Sequence, residues 1–223
     1  MASSRAMSRS VLGSLLSLGL AACASASLAA DLPPQEAPPF TGVYHQVSRA
    51  RDAPGEEWKY TVDDTLTITV LAKQSRWDHK GDGSTEINDS VSRYSTRFGG
   101  RVPAGTALRS QAPFVPVNWE HGWATVRHAT EKDPEVLGEA TIAGQPCTRL
   151  KFVSEQYGEP EFCVAKSGIV LRFSNASSTA EATYEATSID DKAPDPAKLV
   201  TPPGLKVEEQ AGAPKKKLPK LPF

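Results

Sequence analysis

Alternation of period two dominates the middle of the chain. In TLTITVLA, residues 65–72, Leu66, Ile68 and Val70 alternate with Thr65, Thr67 and Thr69, the pattern of a strand buried on one face. RWDHKGDGSTEI sets Trp77 and His79 against Arg76, Asp78 and Lys80, then turns on Gly81-Asp82-Gly83. SRYSTRF sets Tyr94, Thr96 and Phe98 opposite Arg93, Ser95 and Arg97. After a proline-broken stretch come VLGEATI, CTRLKF, EFCVA, IVLRF and ATYEATSI, separated by short turns at 143–146, Tyr157-Gly158, Ser167-Gly168 and 175–178. Short strands at even spacing with turn residues between them read as a meander of antiparallel hairpins. The expectation is a mostly β chain, one large antiparallel sheet curved over a concave apolar face. NWEHGWATVRHATE reads as one short helix carrying Trp119, Trp123 and Val126 at helical spacing, with Gly122 as a weak point.

The first ten residues carry Arg5 and Arg9 and no acid, an apolar run of about twelve residues follows, and small residues close it, the order of a secretory signal. Two readings of its exit stand. Leu20-Ala21-Ala22-Cys23 has the form of a bacterial lipobox, in which Cys23 becomes the acylated first residue of the mature chain. The rival cut lies further on, at Ala24-Ser25-Ala26 or before Asp31. The first reading implies palmitate-type acyl chains holding the protein on a membrane, since two or more chains anchor stably. Ala24 is not the Asp associated with inner-membrane retention, so the expected place is the periplasmic face of the outer membrane. The alternative is a soluble periplasmic or secreted protein.

These signals divide the chain into a signal peptide at 1–22, a Pro/Ala-rich linker at 23–40, a domain at 41–206 and a basic, proline-punctuated tail at 207–223. Without residues 1–22, 23 basic side chains stand against 26 acidic ones, and without Lys215, Lys216, Lys217 and Lys220 the balance is 19 to 26. An acidic body argues against nucleic-acid binding. The tail reads as a solvated, disordered terminus, with weak attachment to anionic head groups as the second reading.

Cys147 and Cys163 form the remaining even pair, which in an exported chain reads as a disulfide. Leu150 and Phe152 facing the core put Cys147, Arg149 and Lys151 on the other face, and Phe162 and Val164 do the same for Glu161 and Cys163. Cys147 opposite Cys163 would set Arg149 against Glu161 and Lys151 against Glu159, with Pro160 awkwardly opposite Leu150. His45, His79, His121 and His128 fall in no metal or triad pattern, and DHKGDGSTEIND has Lys80 and Asp89 where a calcium loop needs other ligands. No G-x-S-x-G, phosphate loop or dinucleotide fingerprint occurs. No enzyme, cofactor or metal is expected.

With these features read, LTITVLAKQSRWDHKGDGSTEIND, GEATIAGQPCTRLKF, FCVAKSGIVLRF and TPPGLKV resemble exported bacterial proteins akin to the LolA/LolB lipoprotein-carrier superfamily, over roughly residues 40 to 206. The resemblance implies a half-closed antiparallel barrel of about ten or eleven strands with a small helical lid over an apolar cavity that holds acyl chains. No position here matches the carriers' exposed functional loop or their basic acyl-handling residues.

The function expected is non-enzymatic: a monomeric envelope lipoprotein that binds a lipid or a lipoprotein's acyl chain in the concave sheet. The alternative is an interaction or structural protein whose interior is merely a filled core. The candidate inward set is Leu66, Ile68, Val70, Trp77, Tyr94, Phe98, Leu150, Phe152, Leu171 and Phe173. The lipobox reading carries its own test. Cys23→Ser should move the protein from the membrane fraction to the soluble periplasm or leave it uncleaved, whereas a wild type already soluble and beginning at Ser27 or Asp31 contradicts it.

Overall fold

The computed structural model describes residues 32–111, 118–130, 132–153 and 158–210. Twelve strands run in chain order: β1 (Phe40–Ala50), β2 (Tyr60–Leu71), β3 (Gln74–His79), β4 (Ser84–Asp89), β5 (Tyr94–Gly99), β6 (Thr106–Gln111), β7 (Glu135–Ile142), β8 (Gln145–Lys151), β9 (Glu161–Ala165), β10 (Val170–Ala176), β11 (Ala180–Asp190) and β12 (Lys206–Glu209). They form one sheet in the order β12-β6-β5-β4-β3-β2-β1-β11-β10-β9-β8-β7. Every described pairing is antiparallel except β12 with β6. The sheet is curved and not closed, as the alternation led one to expect, with β7 and β12 as its two edges.

The strands β1 and β11 join the halves at the centre of the sheet. On β1, Phe40, Gly42, Tyr44 and Gln46 are buried while His45 between them is exposed. A glycine and a glutamine on the buried face hide this alternation, which is why β1 does not stand out in the sequence. β6 and β12 are likewise short and poor in apolar alternation. The stretch after Asp190 lies on the convex face: a 3₁₀ turn at Pro196–Leu199 buries Leu199, and the Lys198 carbonyl accepts a bond from Arg76 Nη1 at 2.9 Å. β12 then pairs with β6 as far as Glu209, past the domain limit read at 206.

The helical segment lies on the concave face in two pieces, a 3₁₀ turn at Trp119–His121 and α1 (Ala124–Thr130), rather than one helix. They break at Gly122, whose φ of 111° is one that L side chains avoid. A Cβ there would stand 2.2 Å from the Gln35 carbonyl oxygen, because residues 34–37 cross directly over the break. That crossing is hydrogen-bonded: Trp123 Nε1 donates to the Pro34 carbonyl at 3.0 Å, Ala124 N to Gln35 at 3.1 Å, and Ala37 N to the His121 carbonyl at 2.9 Å. The C-terminal part of the proline-rich leader is therefore built into the lid.

Cys147 and Cys163 are joined, with Cα atoms 5.4 Å apart. The register differs from the expected one by two residues: Arg149 lies opposite Cys163, Lys151 opposite Glu161 and Cys147 opposite Ala165. A shift of two preserves every face, so the cysteines still share one and the bridge runs diagonally. The ion pairs form on the diagonal as well, Arg149–Glu161 at 3.6 Å and Lys151–Glu159 at 2.6 Å, a reach long side chains have across neighbouring strands. The shift also removes the awkward proline. Leu150 faces Phe162, and Pro160 lies before β9, where its carbonyl accepts a bond from Phe152 N at 3.0 Å and no donor is required of it. Replacing both cysteines by alanine should cost about 2–4 kcal/mol in denaturant unfolding, since the bridge closes a short loop. Unchanged stability together with free thiols in freshly isolated protein would show that the bridge does not form.

Candidate functional site

The lid divides the concave face. Over its apolar part, Leu66, Ile68, Val70, Leu150, Phe152 and Leu171 are all within 2 % of complete burial and belong to one packed cluster with Trp119, Trp123 and Val126. These six members of the expected inward set fill a core. Tyr94 and Phe98 do not face inward at all. Trp77 stands opposite Glu86, and Glu86 opposite Arg97, so on β5 the concave side carries Ser95 and Arg97 while Tyr94 and Phe98 take the convex side. Around Tyr94 the C-terminal stretch borders the convex face. The Arg109 guanidinium lies 4.2 Å over the Tyr94 ring, and Leu199 and Val207 border the same shallow groove. Alternation separates the two faces of a strand without telling which is concave when both have a cover.

The two remaining members, Trp77 and Phe173, wall an open cavity of about 450 Å³ at the end of β1, β2, β10 and β11. Trp119 of the lid and Tyr184 of β11 complete its aromatic wall, Val62 and Tyr60 of β2 form an exposed apolar lip, and Ser48, Asn175 and Ser177 add polar atoms at the rim. The rings interlock: Trp119 stacks on Phe173 at 5.6 Å, lies 5.1 Å from Tyr184, and meets Trp77 and Tyr44 edge-on at 5.8 and 5.2 Å. Burial, aided by Glu120 and Glu86, pushes the Tyr184 hydroxyl up to about 12, so it stays protonated; it accepts a bond from Gln46 Nε2 at 3.3 Å.

The mouth is held by Arg51. Its backbone N donates to the Thr179 carbonyl at 2.9 Å, its Nε to Ser178 at 2.9 Å and its Nη1 to Glu56 at 3.1 Å, while its guanidinium lies 4.4 Å over Trp58. Arg49 and Glu181 close one side at 3.5 Å. Arg49 and Glu181 pair with each other, while Arg51 is held by carbonyls and a ring. Behind the wall lies the one fully buried carboxyl among the described residues, Glu120, next to Trp119.

Sequence reasoning missed Trp119, Tyr184, Tyr60 and Val62. The signal for Trp119 was present in WEHGW, since a lid over a sheet must put its largest ring somewhere. Tyr184 was signalled by its alternation with Thr183 and Glu185. Cys23, the stretch 1–22 read as a signal peptide and the lysine tail lie outside the described residues. Among the described residues no three His, Cys, Asp or Glu side chains group to hold a metal, and no helix is long and apolar enough to cross a membrane.

No family model and no curated protein matches this chain. Solved structures resemble it at a distance. An uncharacterized conserved protein from Thermus thermophilus matches with a TM-score of 0.49 at 11 % identity, over 78 % of this chain and 91 % of that one. MucB matches with a TM-score of 0.49 at 14 % identity, over 78 % of this chain and only 60 % of MucB. A putative outer membrane lipoprotein-sorting protein domain from Vibrio parahaemolyticus reaches 0.28 at 10 % identity, over 69 % of this chain and 85 % of the domain. At such values the cavity's role has to come from its own side chains.

Truncating the ring on which the wall depends should be costly. Trp119→Ala should lower stability by about 3–5 kcal/mol, the range for large core aromatics. Tyr60→Ala on the exposed lip should stay within about 0.5 kcal/mol of wild type. Equal effects in denaturant unfolding would contradict the division into core and lip.

Proposed function

We propose that this chain is an exported, lipid-anchored binding protein of the cell envelope that takes an apolar ligand, an acyl chain in particular, into the cavity beside the lid. The observation that carries the reading is the cavity itself. About 450 Å³ lies within the ordinary range for ligand sites, and rings and aliphatic side chains make most of the wall. Exposed Tyr60 and Val62 continue that surface outward, which suits a ligand that enters from an apolar phase. The signal-like N-terminus, the lipobox at Cys23 and the Cys147–Cys163 bridge are consistent with an oxidising envelope compartment and with anchoring at the outer membrane. No side chain of the cavity wall is set up as nucleophile and base, so the role proposed is binding without chemistry.

Binding of this kind works by burial. An acyl segment in the cavity leaves water at about 25 cal/mol per Å² of apolar surface, and a wall of already packed rings needs little reordering to receive it. The second reading, an interaction protein with a filled interior, is favoured by the six core residues of the inward set, which leave no groove along the length of the sheet.

The two readings part on a titration. The Cys23→Ser chain should bind a naphthylamine dye with saturation at micromolar concentrations, and free fatty acid should displace it. Ala182→Trp, which fills the cavity from its β11 wall, should weaken the dye by at least about tenfold while circular dichroism stays unchanged. A folded protein that neither binds the dye nor is displaced by fatty acid supports the interaction reading instead.

A further inference from the structure

Glu120 is the one fully buried carboxyl among the described residues, and it belongs to the 3₁₀ turn that carries Trp119. Its Oε1 accepts a bond from the Ser75 hydroxyl of β3 at 2.7 Å, and its Oε2 has no hydrogen-bond partner of ordinary geometry. The indole Nε1 atoms of Trp77 and Trp119 are buried without such a partner as well. His121 is the one basic side chain described within 4.0 Å, its Nε2 being 3.9 Å from Oε1 on the same turn.

The groups facing Glu120 from the sheet are otherwise neutral. They are Tyr44 from β1, Ser75 and Trp77 from β3, and Tyr184 from β11, which also feels Glu86 of β4; β2 and β10 present apolar Leu66, Ile68 and Phe173 to the same cluster. Tyr44, whose hydroxyl donates to the Val170 carbonyl at 2.8 Å, is itself pushed far up by burial and by Glu120. Besides the rings around Trp119, the turn is tied by Ala37 N donating to the His121 carbonyl at 2.9 Å. Asn118 gives it no side-chain cap, and it is only three residues long.

A buried carboxylate with one hydroxyl partner is costly, whereas the neutral acid fits such a place. We propose that Glu120 is a proton-operated latch: protonated, it keeps the turn docked and Trp119 in the cavity wall, and ionised, it leaves for solvent and takes Trp119 with it, so that the cavity releases its ligand. The proposal rests on the reading of the cavity as a ligand site. Burial raises the carboxyl, against the smaller pull of His121, Ser75 and Trp77. A carboxyl raised in the folded state contributes stability that is whole below its unfolded value and is lost as pH rises through the folded one. Docking is therefore favoured on the acid side and lost above the ordinary carboxylate range.

The test follows the indole N–H signals of the Cys23→Ser chain labelled with ¹⁵N-tryptophan, without ligand, from about pH 4 to about pH 9, which spans ordinary carboxylate and histidine values. The Trp77 and Trp119 signals should pass through one transition above the ordinary carboxylate range. Glu120→Gln, neutral at every pH, should abolish it, and His121→Asn should keep it. Ser75→Ala, which removes a bond to the charged form, should move the transition to higher pH and serves if the Gln variant fails to fold. A transition that persists in Glu120→Gln, that does not move in Ser75→Ala or that disappears in His121→Asn overturns the latch, as does a wild type that stays flat. Naphthylamine dye affinity should fall above the transition by up to tenfold per pH unit, the limit for one proton. Dye binding independent of pH overturns the latch and leaves the cavity reading intact. Absence of dye binding at any pH, with the indoles still titrating through Glu120, removes the cavity reading and leaves a latch that acts on the lid alone.

Discussion

An open sheet of twelve strands has a concave face too wide for its own side chains to fill, and one side chain settles how this face is covered. Trp119 packs against rings from β1, β3, β10 and β11, and Tyr184 also meets Trp77 and Phe173 directly. Aromatic pairs of this kind contribute about 0.5–1.5 kcal/mol each beyond the area they bury. The short turn on which Trp119 sits has no strength of its own, so its place depends on this packing. The lid in turn positions residues 34–37, which hydrogen-bond across Gly122 and Trp123, and through them the entry of β1. Core, lid and leader form one unit because a single ring is shared among them.

The same ring decides where the interior ends. On one side of Trp119 the concave face is packed solid by Leu66, Ile68, Leu150, Phe152 and Phe162. On the other side the strands β1, β2, β10 and β11 run on past the lid, and among the described residues the cavity opens there. The filled core and the open site are consecutive stretches of one surface. The lid sets the boundary between them, and Glu120, buried at that boundary, is placed where a single proton acts on both.

Much of the fold was legible because alternation is a local signal. Nine of the strands, their antiparallel order and the pairing of Cys147 with Cys163 follow from residues within a few positions of each other. What stayed hidden depends on partners distant in sequence. Tyr94 and Phe98 alternate as cleanly as Leu66 and Ile68, yet face the other way, and Leu199 and Val207, about a hundred residues on, border Tyr94 on the convex side. The hairpin register differed by two residues because a slip of two changes neither face nor charge pattern, so composition cannot distinguish the alternatives. β1 was obscured by Gly42 and Gln46 on its buried face. Of the cavity wall, Trp77 and Phe173 were read as inward residues; Trp119 and Tyr184 carried a signal of burial but none of an opening, which exists only where the lid stops.

The central claim is that the cavity holds an apolar ligand in the cell. Native mass spectrometry of the full chain, released from membranes into a mild detergent, tests it most directly. A population heavier than the denatured chain by the mass of one apolar molecule is expected, which denaturation removes and which Ala182→Trp prevents. A single species at the mass of the denatured chain, unchanged by that substitution, would contradict it and leave the cavity as an unfilled end of the core.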